Sequence, residues 1–490
     1  MLGAYCSQHG LPSHIIHLWS QAPFVSESAQ ALNAQIEKGF LSIFHLSQAI
    51  LTQKPVEPIQ LLYVYLETEE ALQPQYAALS GFAKTIRLEN PKLNYKTVAL
   101  PTLDNVVETV LAEFQTNDGV EVRYSDNQRW IKRLQEIDKP RDAEMTSVLK
   151  ENGVYLITGG AGGLGLIFAD YLAKQFKAKL VLTGRSELSA EKSSEIQRLN
   201  VLGAEVIYLQ ADISICYEVE ALIAQTKSRF GRINGIIHSA GVIRDALVLK
   251  KTPEEIAAVL APKVYGTVWL DEATSHEPLD FFVLFSSVAA VMGNAGQCDY
   301  AYANSFMDNF ALLREGLRAE QKRVGKTLSI NWPLWQSGGM QVDEQTEKML
   351  IKSMGMQALS TETGLEAFSQ GLAWEEQSQF LVIEGYRQKV NKVLGLPAAV
   401  SKPTATTPTT KEVGQSQLLA KLQPDLLSIA SAILKVSAKD IDLSNDISEY
   451  GFDSISFTEF ANKIKARLKA FEESERDFPD ELFEIETERT

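Results

Sequence analysis

Residues 296–304, GQCDYAYAN, place two phenols two positions apart and a carboxamide four positions beyond the first. On a helix, positions four apart share a face and positions two apart do not, so Tyr300 and Asn304 can converge on one site while Tyr302 points elsewhere. A phenol with a pKa of about 10 is a poor acid at neutral pH and needs a nearby cation to give its proton to a developing alkoxide. This segment holds no lysine, so the cation must come from another part of the chain. Cys298 reads as a bystander.

A second group of residues reads as a phosphate cradle. The apolar run VYLIT from Val154 enters GGAGGLG and then a helical pattern, IFADYLAKQF. Thr158 closes the run, and Gly159, Gly163 and Gly165 give TGxxxGxG spacing, with Gly160 and Leu164 inside it. Glycines where a strand turns into a helix let backbone approach a pyrophosphate at the positive helix N-terminus. The next strand ends in LTGRS, where NAD sites usually hold an acid for the ribose hydroxyls. Arg185 and Ser186 stand there instead, and a guanidinium that can pair bidentately with a 2'-phosphate favours NADPH over NADH. Asp212, before Ile213, could accept a bond from the adenine amine, and Ser239, Ala240 and Gly241 could line the cofactor beyond the fourth strand.

These residues need a scaffold of strands and helices, and the hydrophobic pattern supplies one. Apolar runs begin near 154, 179, 204, 234, 280, 327 and 380, separated by amphipathic stretches, which predicts a doubly wound, mostly parallel sheet. The runs are continuous rather than alternating, as burial on both faces requires. Residues 1–145 carry a weaker version of the rhythm, with runs near 15, 59 and 95 but no glycine-rich turn. They read as a second α/β unit that supports the first without binding a cofactor.

Composition narrows the function further. A net charge of -15 disfavours a nucleic-acid binder, which needs clustered Lys and Arg. The 3 cysteines lie far apart without metal-ligand spacing, so neither a zinc site nor a disulfide framework is expected. No long apolar run and no basic-then-apolar start appear, so neither a membrane span nor a signal peptide is expected, and a cytoplasmic setting follows.

GGAGGLG, LTGRS, IIHSAG, FSS and GQxxYAxAN together resemble the ketoreductase domains of modular polyketide synthases, within the short-chain dehydrogenase/reductase superfamily. The resemblance covers about residues 10–395. It implies two Rossmann-like halves: a degenerate structural subdomain, 1–145, and a catalytic NADPH-binding subdomain, 146–395. In this branch the lysine and asparagine exchange places. The resemblance therefore identifies Lys263, in APKVYGT, as the missing cation and gives Asn304 the role of orienting water or that lysine. It also makes Ser287, the second serine of FFVLFSS, the residue that bonds the substrate carbonyl. INWPLW and SGGM, residues 331–340, resemble synthases whose acyltransferases act in trans, and the segment after them suggests a lid. Family members with an LDD-like loop give the D-configured 3-hydroxyl, whereas the opposite type has a Trp eight positions before the tyrosine. Here GVIRDAL places Asp245 at the last acid of that loop, with Arg244 replacing the first, and Met292 occupies the tryptophan's place; both marks imply D.

After Gly395 the chain becomes rich in Pro, Thr and Ala, a linker at 396–416, and then turns acidic. GFDSISF resembles the phosphopantetheine attachment motif of acyl carrier proteins, with Ser454 as the modified hydroxyl, so 417–490 reads as a small helical carrier-like segment. The expected substrate is a β-ketoacyl thioester on an acyl carrier protein, the expected partners are other domains of a synthase assembly line, and the chain reads as a piece of a larger multienzyme. Two other readings compete. A catalytically idle scaffold predicts loss of Tyr300, Ser287 or Lys263, and a free-standing reductase of small ketones leaves the first half and the tail without a purpose.

Overall fold

The computed structural model describes residues 10–126, 128–137, 148–338, 344–396 and Ser431. GFDSISF, Ser454 and the linker lie outside the described residues, as does Met340. Residues up to Ala398 form one compact unit.

All seven apolar runs of the second half are strands: β6 (Val154–Thr158), β7 (Lys179–Gly184), β8 (Glu205–Gln210), β9 (Gly235–His238), β10 (Phe281–Ser287), β11 (Lys326–Trp332) and β13 (Gln379–Leu381). Their order across the sheet is β13-β11-β10-β9-β6-β7-β8, with every pairing parallel. The order reverses between β6 and β9, so the C-terminal ends of these two strands open onto a crevice. β6 and β9 are buried throughout, which is why their sequences are uninterrupted apolar runs. A small antiparallel pair, β12 (Met356–Gln357) and β14 (Glu384–Gly385), stands apart from the main sheet.

The first half forms a second sheet of β1 (His14–Ser20), β2 (Ile59–Leu66), β3 (Leu93–Leu100), β4 (Glu121–Ser125) and β5 (Gln128–Ile131), in sequential order. The first four strands are parallel and β5 returns antiparallel. The sequence pattern marks β1 to β3 but not the β4–β5 hairpin.

The boundary at 145 separates two sheets but not two cores. One hydrophobic cluster runs from Phe40 and Phe82 in the first half to Tyr302 and Phe306 in the second. At the junction, helix Leu79–Glu89 packs on helix Cys298–Ala319, and a Cβ at Gly81 would stand 2.4 Å from the Ala301 carbonyl oxygen. Glycine permits that close approach of two backbones. Burial of so much of Cys298–Ala319, Tyr300 and Asn304 included, makes it a rigid platform for chemistry.

Candidate active site

The helix that carries the phenols resolves which one faces the crevice. The Tyr302 ring stacks on Phe40 at 4.1 Å and its hydroxyl donates to the Gln75 carbonyl at 2.7 Å, so it fastens the two halves together. Tyr300 lies on the other face, against Lys263. Burial raises its phenol pKa, the nearby Asn304 and Ser287 side chains oppose that shift, and the charge of Asp245 adds to it. Ser287, Asn304 and Asp245 thus lie near enough to Tyr300 for their dipoles and charge to bear on its phenol. Asn304 Nδ2 donates to the Tyr300 carbonyl at 2.7 Å, while its buried Oδ1 has no partner among the described residues and keeps its acceptor capacity.

Lys263 comes from a π-helical turn, Ala261–Tyr265, between helices Pro253–Leu260 and Gly266–Ala273. Such wide turns often mark functional positions. Lys263 is 3% exposed; its ammonium donates to the Phe285 carbonyl at 3.0 Å and lies 5.4 Å from the Tyr300 ring centre. Burial lowers its pKa to about 7, against the attraction of Asp308. Gly241 is required beside it, since a Cβ there would lie 2.8 Å from Lys263 Cε.

The two serines ending β10 have different tasks. Ser286 is buried, donates to the Asn304 carbonyl at 3.2 Å and accepts from Asn331 Nδ2 at 3.0 Å. Ser287 is only partly buried and caps helix Val288–Met292, accepting from the Ala289 amide at 3.2 Å. The two Nδ2 hydrogens of Asn331 are shared among Ser286, the Ser287 carbonyl at 3.1 Å and Asp308 at 2.8 Å, holding the serine pair from behind. Sequence reading missed this support: Asn331 sat in a motif read only as a family mark.

The glycine turn forms as its spacing predicts. Gly159 has φ +63°, and a Cβ there would come within 2.9 Å of Ala240 Cα; at Gly165 it would meet the Gly159 carbonyl at 2.4 Å. Helix Gly163–Phe176 follows, so the first-turn amides of Gly163, Leu164 and Gly165 face the crevice mouth without intrahelical acceptors. Thr158 Oγ1 bonds His238 Nδ1 at 2.7 Å, and His238 Nε2 bonds the Pro262 carbonyl at 3.0 Å. That chain ties β6, β9 and the lysine turn together. Burial and then the charge of Lys263 lower the His238 pKa to about 3, so this imidazole stays neutral. It lies within IIHSAG, where only Ser239, Ala240 and Gly241 were assigned a role.

Arg185 and Ser186 are exposed at the end of β7, their carbonyls anchored by Gln210 Nε2 at 2.8 Å and Tyr208 Oη at 2.6 Å. Arg185 makes no ion pair with any described residue, which leaves its guanidinium available to a phosphate. Asp212 accepts from the Ser214 amide and hydroxyl through Oδ1, leaving Oδ2 open. Ile213 is buried beside it, and Ser239 Oγ donates to the Thr158 carbonyl at 2.7 Å, shaping the floor of the crevice. A backbone cradle that excludes any Cβ, a helix N-terminus and an unpaired guanidinium together fit a phosphorylated dinucleotide.

Asp245 is exposed and its carboxylate accepts from Gln297 Nε2 at 3.1 Å, while Met292 is half-buried in the segment leading to that glutamine. Among the described residues no cluster of His, Cys, Asp and Glu could hold a metal, and no helix is long and apolar enough to cross a membrane.

The sheet order and glycine turn define a dinucleotide-binding α/β fold, and the family that matches makes it an oxidoreductase acting on a keto group. The KR domain family matches residues 153–337, a beta-ketoacyl synthase-like N-terminal family matches 4–118, and the phosphopantetheine attachment site family matches 424–484. An N-terminal ketoreductase from the macrolactin assembly line is 41% identical, with 80% of this chain and 77% of that one covered at a TM-score of 0.72. A ketoreductase domain from the bacillaene assembly line is 36% identical, covering 78% and 95% at a TM-score of 0.69. The chain belongs to the ketoreductase domains of polyketide synthases. Polyketide synthase PksN of Bacillus subtilis (strain 168) is 40% identical over 432 residues, 86% of this chain but 8% of that protein. The chain thus spans only a small part of the curated relatives it matches. Ketoreductase domains bind NADPH and a phosphopantetheine attachment site carries that arm, so both expected cofactors stand.

Proposed function

We propose that this chain reduces a carrier-tethered β-ketoacyl group to the D-configured 3-hydroxyacyl product, with NADPH preferred over NADH. The convergence of Tyr300, Ser287, Asn304 and Lys263 beside the glycine turn carries this reading. NADPH supplies the hydride when bound. Tyr300 gives its phenolic proton to the carbonyl oxygen as negative charge develops there, and the Ser287 hydroxyl donates a hydrogen bond to the same oxygen. Lys263, when protonated, stabilises the resulting phenolate, and the free Oδ1 of Asn304 orients either a water or that ammonium. Arg185 pairs with the 2'-phosphate. The two faces of the ketone differ only in the side from which the tethered arm enters, and Asp245, held by Gln297, borders that side.

Ser454 takes the phosphopantetheine arm in this reading, and the acyl group reaches the reductase from that carrier or another within an assembly line. Incubating the protein with a β-ketoacyl thioester and each cofactor, followed by chiral chromatography, tests the proposal. Oxidation of NADPH with a mostly D product supports it; an unreduced substrate, parity with NADH or a mostly L product rejects the corresponding element.

A further inference from the structure

Two loops border Tyr300: residues 242–251 after β9, which carry Asp245, and residues 293–297, which follow helix Val288–Met292 and carry Gln297. They touch each other through the Ala246 amide on the Gly296 carbonyl, 3.0 Å, and through Gln297 on Asp245. Each loop makes a few bonds within itself, Lys251 Nζ to the Arg244 carbonyl in one and Asn294 Nδ2 to Gln297 Oε1 at 2.9 Å in the other, while Asp245 stays exposed. Further anchors come from the first half of the chain. Glu89, the last residue of helix Leu79–Glu89, accepts the Val248 amide on Oε2 at 2.7 Å and the Gly296 amide on Oε1 at 3.0 Å. One carboxylate thus bridges both loops. Thr85, one turn earlier, accepts the Asn294 amide at 3.2 Å, and a Cβ at Gly293 would meet that helix's backbone at 2.8 Å. Gln48 adds bonds to the Val248 and Lys251 carbonyls, both 3.0 Å. Beneath them, the fully buried Lys251 and Asp299 pair at 2.8 Å, and Asp299 accepts the Tyr300 amide at 2.9 Å.

We propose that Glu89 is a positioning residue for the reduction: its carboxylate, supplied by the half that lacks the glycine turn, clasps the two loops bearing Asp245 and Gln297 and thereby fixes which face of the keto group is presented. This rests on the β-ketoacyl reductase reading. It also gives the first half a task in selectivity beyond burying apolar surface. A carboxylate accepting two backbone amides makes two charge-assisted bonds at once, and no neutral side chain at that place accepts both through equivalent oxygens.

Glu89→Ala and Glu89→Gln are compared with wild type by hydrogen exchange of the two loops and by the enantiomer ratio, kcat and KM for a β-ketoacyl thioester. Glu89→Ala is expected to speed exchange at 242–249 and 293–297 about tenfold or more, the size of one or two lost charge-assisted bonds. The minor enantiomer should rise about tenfold, with KM for the thioester raised and NADPH affinity unchanged. Glu89→Gln keeps one acceptor and should fall between the two, and it serves alone where the alanine variant does not fold. A folded variant with wild-type loop exchange overturns the clasp; altered exchange with an unchanged enantiomer ratio overturns the selectivity role. Failure of the wild type to reduce the thioester would instead reject the reductase reading, while the exchange data still judge the clasp.

Discussion

The Lys263 ammonium lies 5.4 Å from the centre of the Tyr300 ring, and its hydrogen bond runs to the Phe285 carbonyl rather than to the phenol. In the proposed mechanism the lysine would act on the tyrosine across space, by charge, and only when protonated. Burial has opposite effects on the two groups, raising the phenol pKa and lowering that of the ammonium to about 7. Without added negative charge nearby, the cation is only partly present at neutral pH.

Tyr300→Phe should lower kcat by about 100- to 10,000-fold while leaving NADPH affinity intact, because only the donated proton is lost. Tyr302→Phe should keep near-normal turnover. It should reduce stability by about 1 kcal/mol, because its hydroxyl bonds the Gln75 carbonyl in the core. Steady-state kinetics and thermal melts separate the two; slow turnover by Tyr302→Phe with normal Tyr300→Phe would exchange their roles.

The pH dependence follows from Lys263. With a folded pKa of about 7, the cation disappears as pH rises through 7, so kcat/KM for NADPH, which reports the free enzyme, should fall on the alkaline side. Tyr300, whose pKa is raised, stays protonated across that window. Asp308→Asn removes the charge that favours the ammonium and should move the limb to lower pH. Stability changes in the opposite sense: between about pH 7 and 10 the unfolded chain binds the lysine proton and the folded chain does not, so this residue's contribution improves as pH rises. Lys263→Met should therefore exceed wild-type stability most near pH 6, a gap that denaturant titrations at several pH values would measure.

The catalytic sheet was legible because strands buried on both faces leave continuous apolar runs, as in β6 and β10. The β4–β5 hairpin was not, because Arg123 and Arg129 point to partners on other elements: Arg123 pairs with Glu67 and Arg129 with Glu113, so ion pairs from partly exposed arginines to buried glutamates replace the apolar pattern. Helical spacing sufficed to set Tyr300 apart from Tyr302. Lys263 needed the family resemblance, since a lysine on a π-helical turn 37 positions before the tyrosine leaves no local pattern. Glu89, His238 and Asn331 escaped notice because each acts on backbone or buried groups brought near only by folding.

Arg185→Ala should lower kcat/KM with NADPH by the equivalent of about 1.5 to 3 kcal/mol and leave NADH nearly unchanged. The guanidinium has no competing ion pair among the described residues, so its loss should be felt by the 2'-phosphate alone. Equal efficiency of the wild type with both cofactors would refute this assignment.

Ser454 should gain the mass of a phosphopantetheine arm when the protein is incubated with coenzyme A and a phosphopantetheinyl transferase. The attachment-site family spans 424–484, which includes this serine. Intact-protein mass spectrometry reads the result, and an equal gain by Ser454→Ala would move the arm elsewhere.

The adjacent serines of β10 provide the sharpest internal comparison, because a single-residue step along a strand reverses the direction of the side chain. Ser286 is buried and bonded to Asn304 and Asn331, so Ser286→Ala should lower stability by about 1 to 2 kcal/mol as those groups lose a partner. Its effect on kcat should be small. Ser287→Ala should do the reverse for catalysis, lowering kcat about 100- to 1,000-fold through loss of a donor to the developing oxyanion. It also loses the helix cap on Ala289, so a stability decrease of about 1 kcal/mol should accompany it. Ser287→Thr keeps the hydroxyl and should recover part of the rate if the methyl group is accommodated in the crevice. Kinetics and melting curves of the three variants decide the matter: a large kcat loss in Ser286→Ala with normal turnover in Ser287→Ala would place the carbonyl-bonding hydroxyl on the other serine.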